Sequence, residues 1–223
     1  MKTSFREAVA TALSRANAAF PFLKRLVPRR AIRWVVLHVM RANDGYREML
    51  RSNPERVFLN DEAMPWVART WRRVLFVGTA PYTYHYERLF ADDAARYHTI
   101  DKNPAARIWG SNNHMLASIV EVDGLRPEGF FDCVVMNGVL SYRIPVLNDF
   151  GVEERELDRL AGAMHRVIRP GGLLLVGWNL RDRPESPFPH FESRFERAST
   201  PWGVRREFAG DPHVFEFYTR RAD

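Results

Sequence analysis

Apolar runs of strand length recur through the middle and end of the chain, each closed by a turn or an acid. Val74-Leu-Phe-Val77 lies between Arg73 and Gly78; Tyr97-His-Thr-Ile-Asp101, Asp132-Cys-Val-Val-Met136 and, after Arg169-Pro-Gly-Gly172, Leu173–Trp178 follow. Short continuous apolar runs flanked by turn residues are the signature of strands covered on both faces. Between the last two, Val152–Ile168 sets Leu157, Leu160, Ala161, Met164, Val167 and Ile168 on one helical stripe. Glu153, Glu154, Glu156 and Asp158 crowd its start and Arg166 and Arg169 its end, as a helix dipole favours. Another helix is expected over about Thr83–Ala95. Strands alternating with helices predict an α/β chain built on a mostly parallel sheet. In the tail, Val204, Phe208, Val214, Phe215, Phe217 and Tyr218 fall in two runs separated by Gly210-Asp-Pro212. That pattern predicts an antiparallel hairpin closing the sheet edge.

The first third reads differently. Ser4–Asn17 places Phe5, Val9, Ala12, Leu13 and Ala16 at helical spacing, and Ala31–Met40 forms a second apolar run after Pro21 and Pro28. That run is too short to span a bilayer and contains Arg33 and His38. Pro65-Trp66-Val67-Ala68 predicts a short helix just before the first strand. The expected organisation is a helical extension or cap over 1–72 and a catalytic domain over 73–223.

Charge follows the same division. The formal net charge is +6 and the sequence pI about 9.8. Yet residues 1–73 hold 15 Lys and Arg against 6 Asp and Glu, whereas residues 74–223 hold 18 against 21. The expected catalytic part is therefore mildly acidic, which argues against a nucleic-acid substrate, since phosphate backbones need a positive field over the working face. Three roles compete for the basic start: a cap closing a substrate pocket, a surface helix resting on anionic lipid, and an arginine-rich transit peptide. The single cysteine, Cys133, sits in an apolar run, so an internal disulfide is excluded and a reducing, cytoplasmic setting is expected. The scattered histidines offer no ligand pair, and no metal site is expected.

Candidate chemistry concentrates where the expected strands end, because parallel sheets bind ligands outside their carboxyl edge. Gly78 permits a sharp turn and close approach of backbone N–H groups to a bulky ligand. Asp101 stands 23 positions later, near the roughly 20-residue spacing at which dinucleotide folds place a ribose-binding carboxylate. The loop 181–199 carries Pro184, Pro187, Pro189, His190, Phe191 and Phe195, residues that either line a pocket or anchor the loop.

These pieces together resemble class I S-adenosylmethionine-dependent methyltransferases over about Val74–Asp223. The resemblance rests on the strand-turn-helix opening, the acid-tipped second strand, the Phe131-Asp132-Cys133-Val134 strand and the Arg169-Pro-Gly-Gly172 crossover. Val77-Gly-Thr-Ala-Pro-Tyr-Thr-Tyr-His-Tyr-Glu87 is further similar to a small bacterial group with an aromatic-rich first loop. The resemblance implies a doubly wound, Rossmann-like sheet with a reversed C-terminal strand, and S-adenosylmethionine as cofactor. It implies that Gly78, Thr79 and Ala80 line the methionine end, that Asp101 holds the ribose, and that Asn137 and Gly138 pass close to the methionine or the substrate. Tyr82, Lys102 and Ser118 complete the expected cofactor set. Ser118 takes the region where many members carry an adenine-binding acid.

The expected reaction is direct in-line methyl transfer to a small molecule, aromatic or anionic. His85 and Tyr142 are the candidate catalytic groups, and Tyr46, Trp178 and His190 the candidate substrate contacts. Two rivals remain. A nucleotide-sugar or dinucleotide oxidoreductase calls for a second or third glycine in the first turn, where Thr79-Ala80-Pro81 supplies none; a non-catalytic, cofactor-binding or scaffold protein docks a membrane or partner through the basic N-terminus.

Overall fold

The computed structural model describes residues 29–34, 37–38, 47–140, 143–144 and 149–222. The chain divides into two compact units, Met1–Arg47 and Glu48–Asp223. In the first, a helix spans Arg29–Trp34, and His38 Nδ1 lies 3.0 Å from the Trp34 carbonyl with the two rings stacked at 5.1 Å. The expected helix over Ser4–Asn17 and positions 35, 36, 39 and 40 of the run to Met40 lie outside the described residues.

The second unit is built on one sheet. Its strands are β1 (Val74–Val77), β2 (Tyr97–Asp101), β3 (Asn113–Leu116), β4 (Phe131–Asn137), β7 (Ile168–Asn179), β8 (Phe195–Arg197), β9 (Arg205–Phe208) and β10 (Asp211–Arg220). β5 (Arg143–Ile144) and β6 (Asp149–Phe150) pair separately. The order is β3-β2-β1-β4-β7-β10-β8, with β9 alongside β10. β1 runs parallel to β2 and β4, β2 to β3, and β4 to β7, whereas β10 runs antiparallel to β7, β8 and β9. The sheet is thus parallel at its centre with a reversed C-terminal strand. The tail hairpin differs from expectation in position: β10 is inserted between β7 and β8 and does not form the edge.

Strand alternation feeds two cores. Leu75, Val77, Val134, Met136, Leu174 and Val176 face one side and pack with the helix Leu157–Val167 and the 3-10 turn Ile119–Gly124. Val74, Phe76, Cys133, Val135, Leu173 and Leu175 face the other, against Phe58, Leu59, Met64, Val67, Tyr86 and Phe90. Fully burying each large apolar side chain contributes about 1.5–3 kcal/mol, so both faces must be covered. Residues 54–70, read from sequence as part of the extension, supply cover for the second face. They form the helix Pro54–Val57, a wide π turn Phe58–Ala63 and the helix Met64–Thr70.

The long helix expected over Thr83–Ala95 is replaced by a 3-10 helix, Tyr84–Phe90, and a turn, Ala94–Arg96. Thr83 accounts for the start: its hydroxyl accepts from Ala80 N at 2.9 Å and lies 3.2 Å from Ala80 O, drawing backbone groups into a local turn. The Asp93 carboxylate then accepts from Ala95 N and opens a new turn. Among the described residues no helix is long and apolar enough to cross a membrane.

Candidate functional site

β1, β2 and β4 end at the same edge, where their loops diverge. Gly78 leaves β1 with φ +81°, a conformation side chains rarely adopt, and its N–H donates to Ile100 O at 2.9 Å. The next N–H, from Thr79, donates to Asp101 Oδ2 at 2.8 Å. Asp101 Oδ1 accepts from Asn103 N at 2.8 Å. The carboxylate is half-buried, and two backbone donors leave part of its four lone-pair sites for a ligand. Thr79 itself is buried, its hydroxyl donating to Ala106 O at 2.9 Å. Its side chain therefore ties the loop to the segment after β2, while its backbone braces Asp101.

At the end of β4, Gly138 has φ +68°, with no atom within 4 Å of where a Cβ would stand. Its N–H donates to Gly177 O at 2.9 Å. Asn137 beside it is fixed by His213, at the start of β10, whose Nε2 lies 2.8 Å from Asn137 Oδ1. Burial, reinforced by the nearby Arg56 charge, holds His213 down at about 4, so the ring is neutral at pH 7. Gly177 opposite cannot carry a side chain: a Cβ there would meet Asn137 Oδ1 and Phe215 Cε1, each at 2.4 Å.

The segment Pro54–Ala63 brings further polar groups to this unit. Asn53 caps it, its side-chain oxygen accepting from Glu55 N at 3.2 Å. Glu55 is only 5% exposed. Burial raises its carboxyl above the usual range. Arg56 opposes that shift, Asp211 adds to it, and hydrogen bonding from the Asn137 amide and Arg56 opposes it again. Arg56 Nε stands 2.7 Å from Glu55 Oε1 and its guanidinium lies 4.6 Å from the Tyr82 ring centre. Tyr86 OH donates to Asn60 Oδ1 at 2.5 Å.

The sequence-derived candidates separate accordingly. Gly78, Thr79, Ala80 and Asp101 form one connected loop unit, and Asn137 and Gly138 close the neighbouring strand. Tyr82 is half-buried in the first loop, Lys102 is exposed just past Asp101, and Ser118 is half-buried beyond β3. His85 is half-buried between Tyr84 and Tyr86, and burial, aided by Arg88, lowers its pKa below the usual histidine value. Tyr46 and Tyr142 lie outside the described residues.

Two substrate candidates are corrected. Trp178 is fully buried and its indole N–H donates to Arg183 O at 3.0 Å, so it is a core residue with no surface for a ligand. His190 is committed on both nitrogens, 2.8 Å from Asp158 Oδ1 and 3.0 Å from Glu154 Oε1, in a charged surface cluster completed by Arg183. The loop aromatics settle likewise: Phe191 and Phe195 are buried in the core, anchoring the loop 181–199.

Glu55, Arg56 and His213 were missed by sequence reading. Asn53-Pro54-Glu55 does carry a helix-start signature, a capping Asn with proline at the first helical position, but nothing local links it to a strand end 82 residues away. Among the described residues, no cluster of three His, Cys, Asp or Glu could hold a metal ion.

Solved structures share this fold. The N-methyltransferase NodS from Bradyrhizobium japonicum WM9 is 16% identical, with a TM-score of 0.52 over 77% of this chain and 99% of NodS. Its complex with S-adenosyl-L-homocysteine gives 15% identity and 0.53 over 78% and 91%. A SAM-dependent methyltransferase from Archaeoglobus fulgidus gives 12% and 0.51 over 78% and 98%. No protein-family model and no curated protein matches the sequence. At such identities the likeness establishes the fold: a Rossmann-like sheet of the kind S-adenosylmethionine-dependent methyltransferases use.

Proposed function

We propose that this protein is an S-adenosylmethionine-dependent methyltransferase acting on a small-molecule acceptor. The observation that carries the reading is the braced pair at the carboxyl edge: Thr79 N–H on Asp101 Oδ2, directly after a left-handed Gly78. A ribose needs a carboxylate with spare lone pairs, and half-buried Asp101, with two backbone donors on its four lone-pair sites, fits that need. Gly138, with open space at its Cβ position, lets a ligand approach the backbone at the end of β4.

In this reading Asp101 takes the ribose hydroxyls. Gly78, Thr79 and Ala80 pass beneath the methionine portion through backbone, and Tyr82, Lys102 and Ser118 flank the remainder. Asn137 and Gly138 border the place where methyl donor and acceptor meet. S-adenosylmethionine supplies an electrophilic methyl on a positively charged sulfur, so the protein needs no covalent nucleophile. What the chain contributes is orientation, which lowers barriers by holding reactants at attack distance, and a proton acceptor where the acceptor atom loses a proton. His85, kept neutral, and Tyr142 are proposed to border the acceptor; the aromatic rings of Tyr82 and Tyr84 suit a planar one. The mildly acidic composition of residues 74–223 supports a small molecule over a nucleic acid.

Titration calorimetry tests the reading. S-adenosylhomocysteine is expected to bind with a dissociation constant on the order of micromolar, and NAD not at all. Binding of neither ligand by the folded protein overturns the enzyme reading and favours the scaffold alternative.

A further inference from the structure

Two arginines at the amino edge of the sheet, opposite the Gly78–Asp101 pair, carry charges that no carboxylate among the described residues answers. Arg73 directly precedes β1, Phe130 directly precedes β4, and Arg126 follows the 3-10 turn Ile119–Gly124. The Arg73 guanidinium lies 4.9 Å from the centre of the Phe130 ring, and the Arg126 guanidinium 5.4 Å from the same centre. One phenyl ring thus gathers two cations, each attracted by its quadrupole and each repelled by the other. Both charges reach His98, which packs against that ring at 5.3 Å. Burial, then Arg126 and more weakly Arg73, hold this imidazole down at about 4. Other arginines of this edge are neutralised: Arg96 by Asp92, Arg169 by Asp132 and Arg220 by Glu128. Asp132 accepts the Arg73 backbone N–H on Oδ2 and spends Oδ1 on Arg169, so it does not compensate the Arg73 side chain.

Each guanidinium is anchored through one terminal amine. Arg73 Nη1 donates to Phe130 O at 3.3 Å, and Arg126 Nη1 to Leu125 O at 3.1 Å. The Nε–Nη2 edge of both is left without a hydrogen bond among the described residues, and Arg126 Nε is buried in that state. That edge is the fork which takes two oxygens of an anion side by side. We propose that Arg73 and Arg126, gathered on Phe130, form a binding site for a phosphate monoester at the edge of the sheet opposite the methyl-transfer point. Two uncompensated positive charges match a monoester, which carries about −1.5 to −2 at pH 7 on three acceptor oxygens, better than a singly charged carboxylate. A soluble phosphorylated metabolite and the headgroup of phosphatidate present the same monoester, and the experiment separates them. The site uses neither Gly78 nor Asp101, so it stands apart from the methyltransferase reading.

The test uses the full chain in physiological salt, with inorganic phosphate and with phosphatidylcholine vesicles, with or without phosphatidate, as probes. Calorimetry is expected to show phosphate binding with a dissociation constant on the order of millimolar. Arg126→Gln and Arg73→Gln are each expected to weaken it about tenfold or more, while S-adenosylhomocysteine affinity stays within about twofold. The ring resonances of Phe130 and His98 should shift with added phosphate in the wild type and stay in place in both variants, a response that binding to the basic N-terminal segment does not produce. If a thermal melt shows that Arg126→Gln does not fold, Arg73→Gln, at an exposed position, carries the same expectation. Sedimentation with phosphatidate vesicles that both variants weaken identifies a lipid headgroup as the source; phosphate binding without sedimentation identifies a soluble monoester. Phosphate affinity unchanged in both variants, or no binding of either probe, overturns the site. So does a short single-stranded oligonucleotide that binds more tightly than phosphate and is lost in the same variants, since the ligand is then a diester backbone. Failure to bind S-adenosylhomocysteine overturns the methyltransferase reading and leaves this site standing.

Discussion

Thr79 donates its backbone N–H to the Asp101 carboxylate across 2.8 Å, joining the turn after β1 to the tip of β2. The loop that approaches a ligand and the acid that holds it are therefore set against each other by the fold. Asp101→Ala removes a charge-assisted hydrogen bond to the ribose, worth about 1.5–3 kcal/mol. Calorimetry is expected to show S-adenosylhomocysteine binding about tenfold weaker or worse. It also strands the Thr79 and Asn103 N–H groups, so the melting temperature should fall. Asp101→Asn, which keeps acceptor capacity, should recover much of the stability and less of the affinity. Unchanged affinity in the alanine variant would make the ribose assignment wrong.

Gly177 tests the packing behind Asn137. A methyl at this position would stand 2.4 Å from Asn137 Oδ1 and from Phe215 Cε1, inside a β7–β10 ladder that cannot spread easily. Gly177→Ala is expected to destabilise by about 1–3 kcal/mol in urea unfolding, the range of overpacking. The Asn137–His213 hydrogen bond should be the first casualty, seen as a shifted Asn137 side-chain amide resonance. Stability equal to wild type would mean that β10 yields where the structure holds it firm.

How much of this was legible beforehand depends on the range of the signal. The four apolar runs and the helix over Leu157–Val167 were readable because burial on both faces and amphipathic periodicity are local properties. β3 was not: Asn113-His-Met-Leu buries only one side chain fully at the sheet edge, and an edge strand carries no continuous apolar pattern. β8 was hidden in a proline-rich loop for the same reason. The pairing of Gly78 with Asp101 could be inferred from spacing along the chain. The meeting of Asn137 and His213 could not, since the sheet order β4-β7-β10 bridges their separation in sequence, and Glu55 joins them from the helix Pro54–Val57, which packs against β10. Trp178 and His190 misled because aromatic and imidazole groups look alike in sequence whether they border a ligand or, as here, complete a core and a surface ion cluster.

Two buried histidines set an acid limit on stability. Burial, with Arg56 secondary, holds His213 at about 4, and burial, with Arg126 next, holds His98 at about 4, both below the ordinary 6.5. Between pH 6.5 and pH 4 the unfolded chain therefore binds protons that the folded chain refuses, and stability falls as pH drops through that window. Glu55, raised by burial, acts in the opposite sense: its folded form binds a proton more readily, and that contribution is lost as pH rises above 4.5. Two histidines act in one sense against a single carboxyl in the other. Thermal melts at pH 7.5 and 4.5 should show a clearly lower midpoint in acid, and His98→Gln, away from the site, should flatten the difference. A midpoint independent of pH across this range would show that these rings are not held neutral.

Glu216 is the last test, because it secures the strand that carries His213 to the site. It is fully buried in β10 and accepts from Arg205 Nη1 at 2.6 Å, Ser186 Oγ at 2.7 Å and Tyr218 OH at 2.5 Å. Three donors around one buried carboxylate link β9, the loop 181–199 and β10. Removing the acceptor leaves the Tyr218 hydroxyl buried without a partner and an arginine partly desolvated. Since Arg205 retains 30% side-chain exposure, water relieves some of that penalty, and Glu216→Leu is expected to destabilise by about 3 kcal/mol, the lower end for breaking a buried pair. Glu216→Gln, which still accepts from Tyr218 or Ser186, should lose less. If the carboxylate matters to the site only through β10, Glu216→Gln lowers the urea midpoint and leaves S-adenosylhomocysteine affinity near the wild-type value. A tenfold loss of affinity without loss of stability would instead mean that its charge reaches the cofactor, which the distance between the β9–β10 network and the Gly78–Asp101 pair in the strand order argues against.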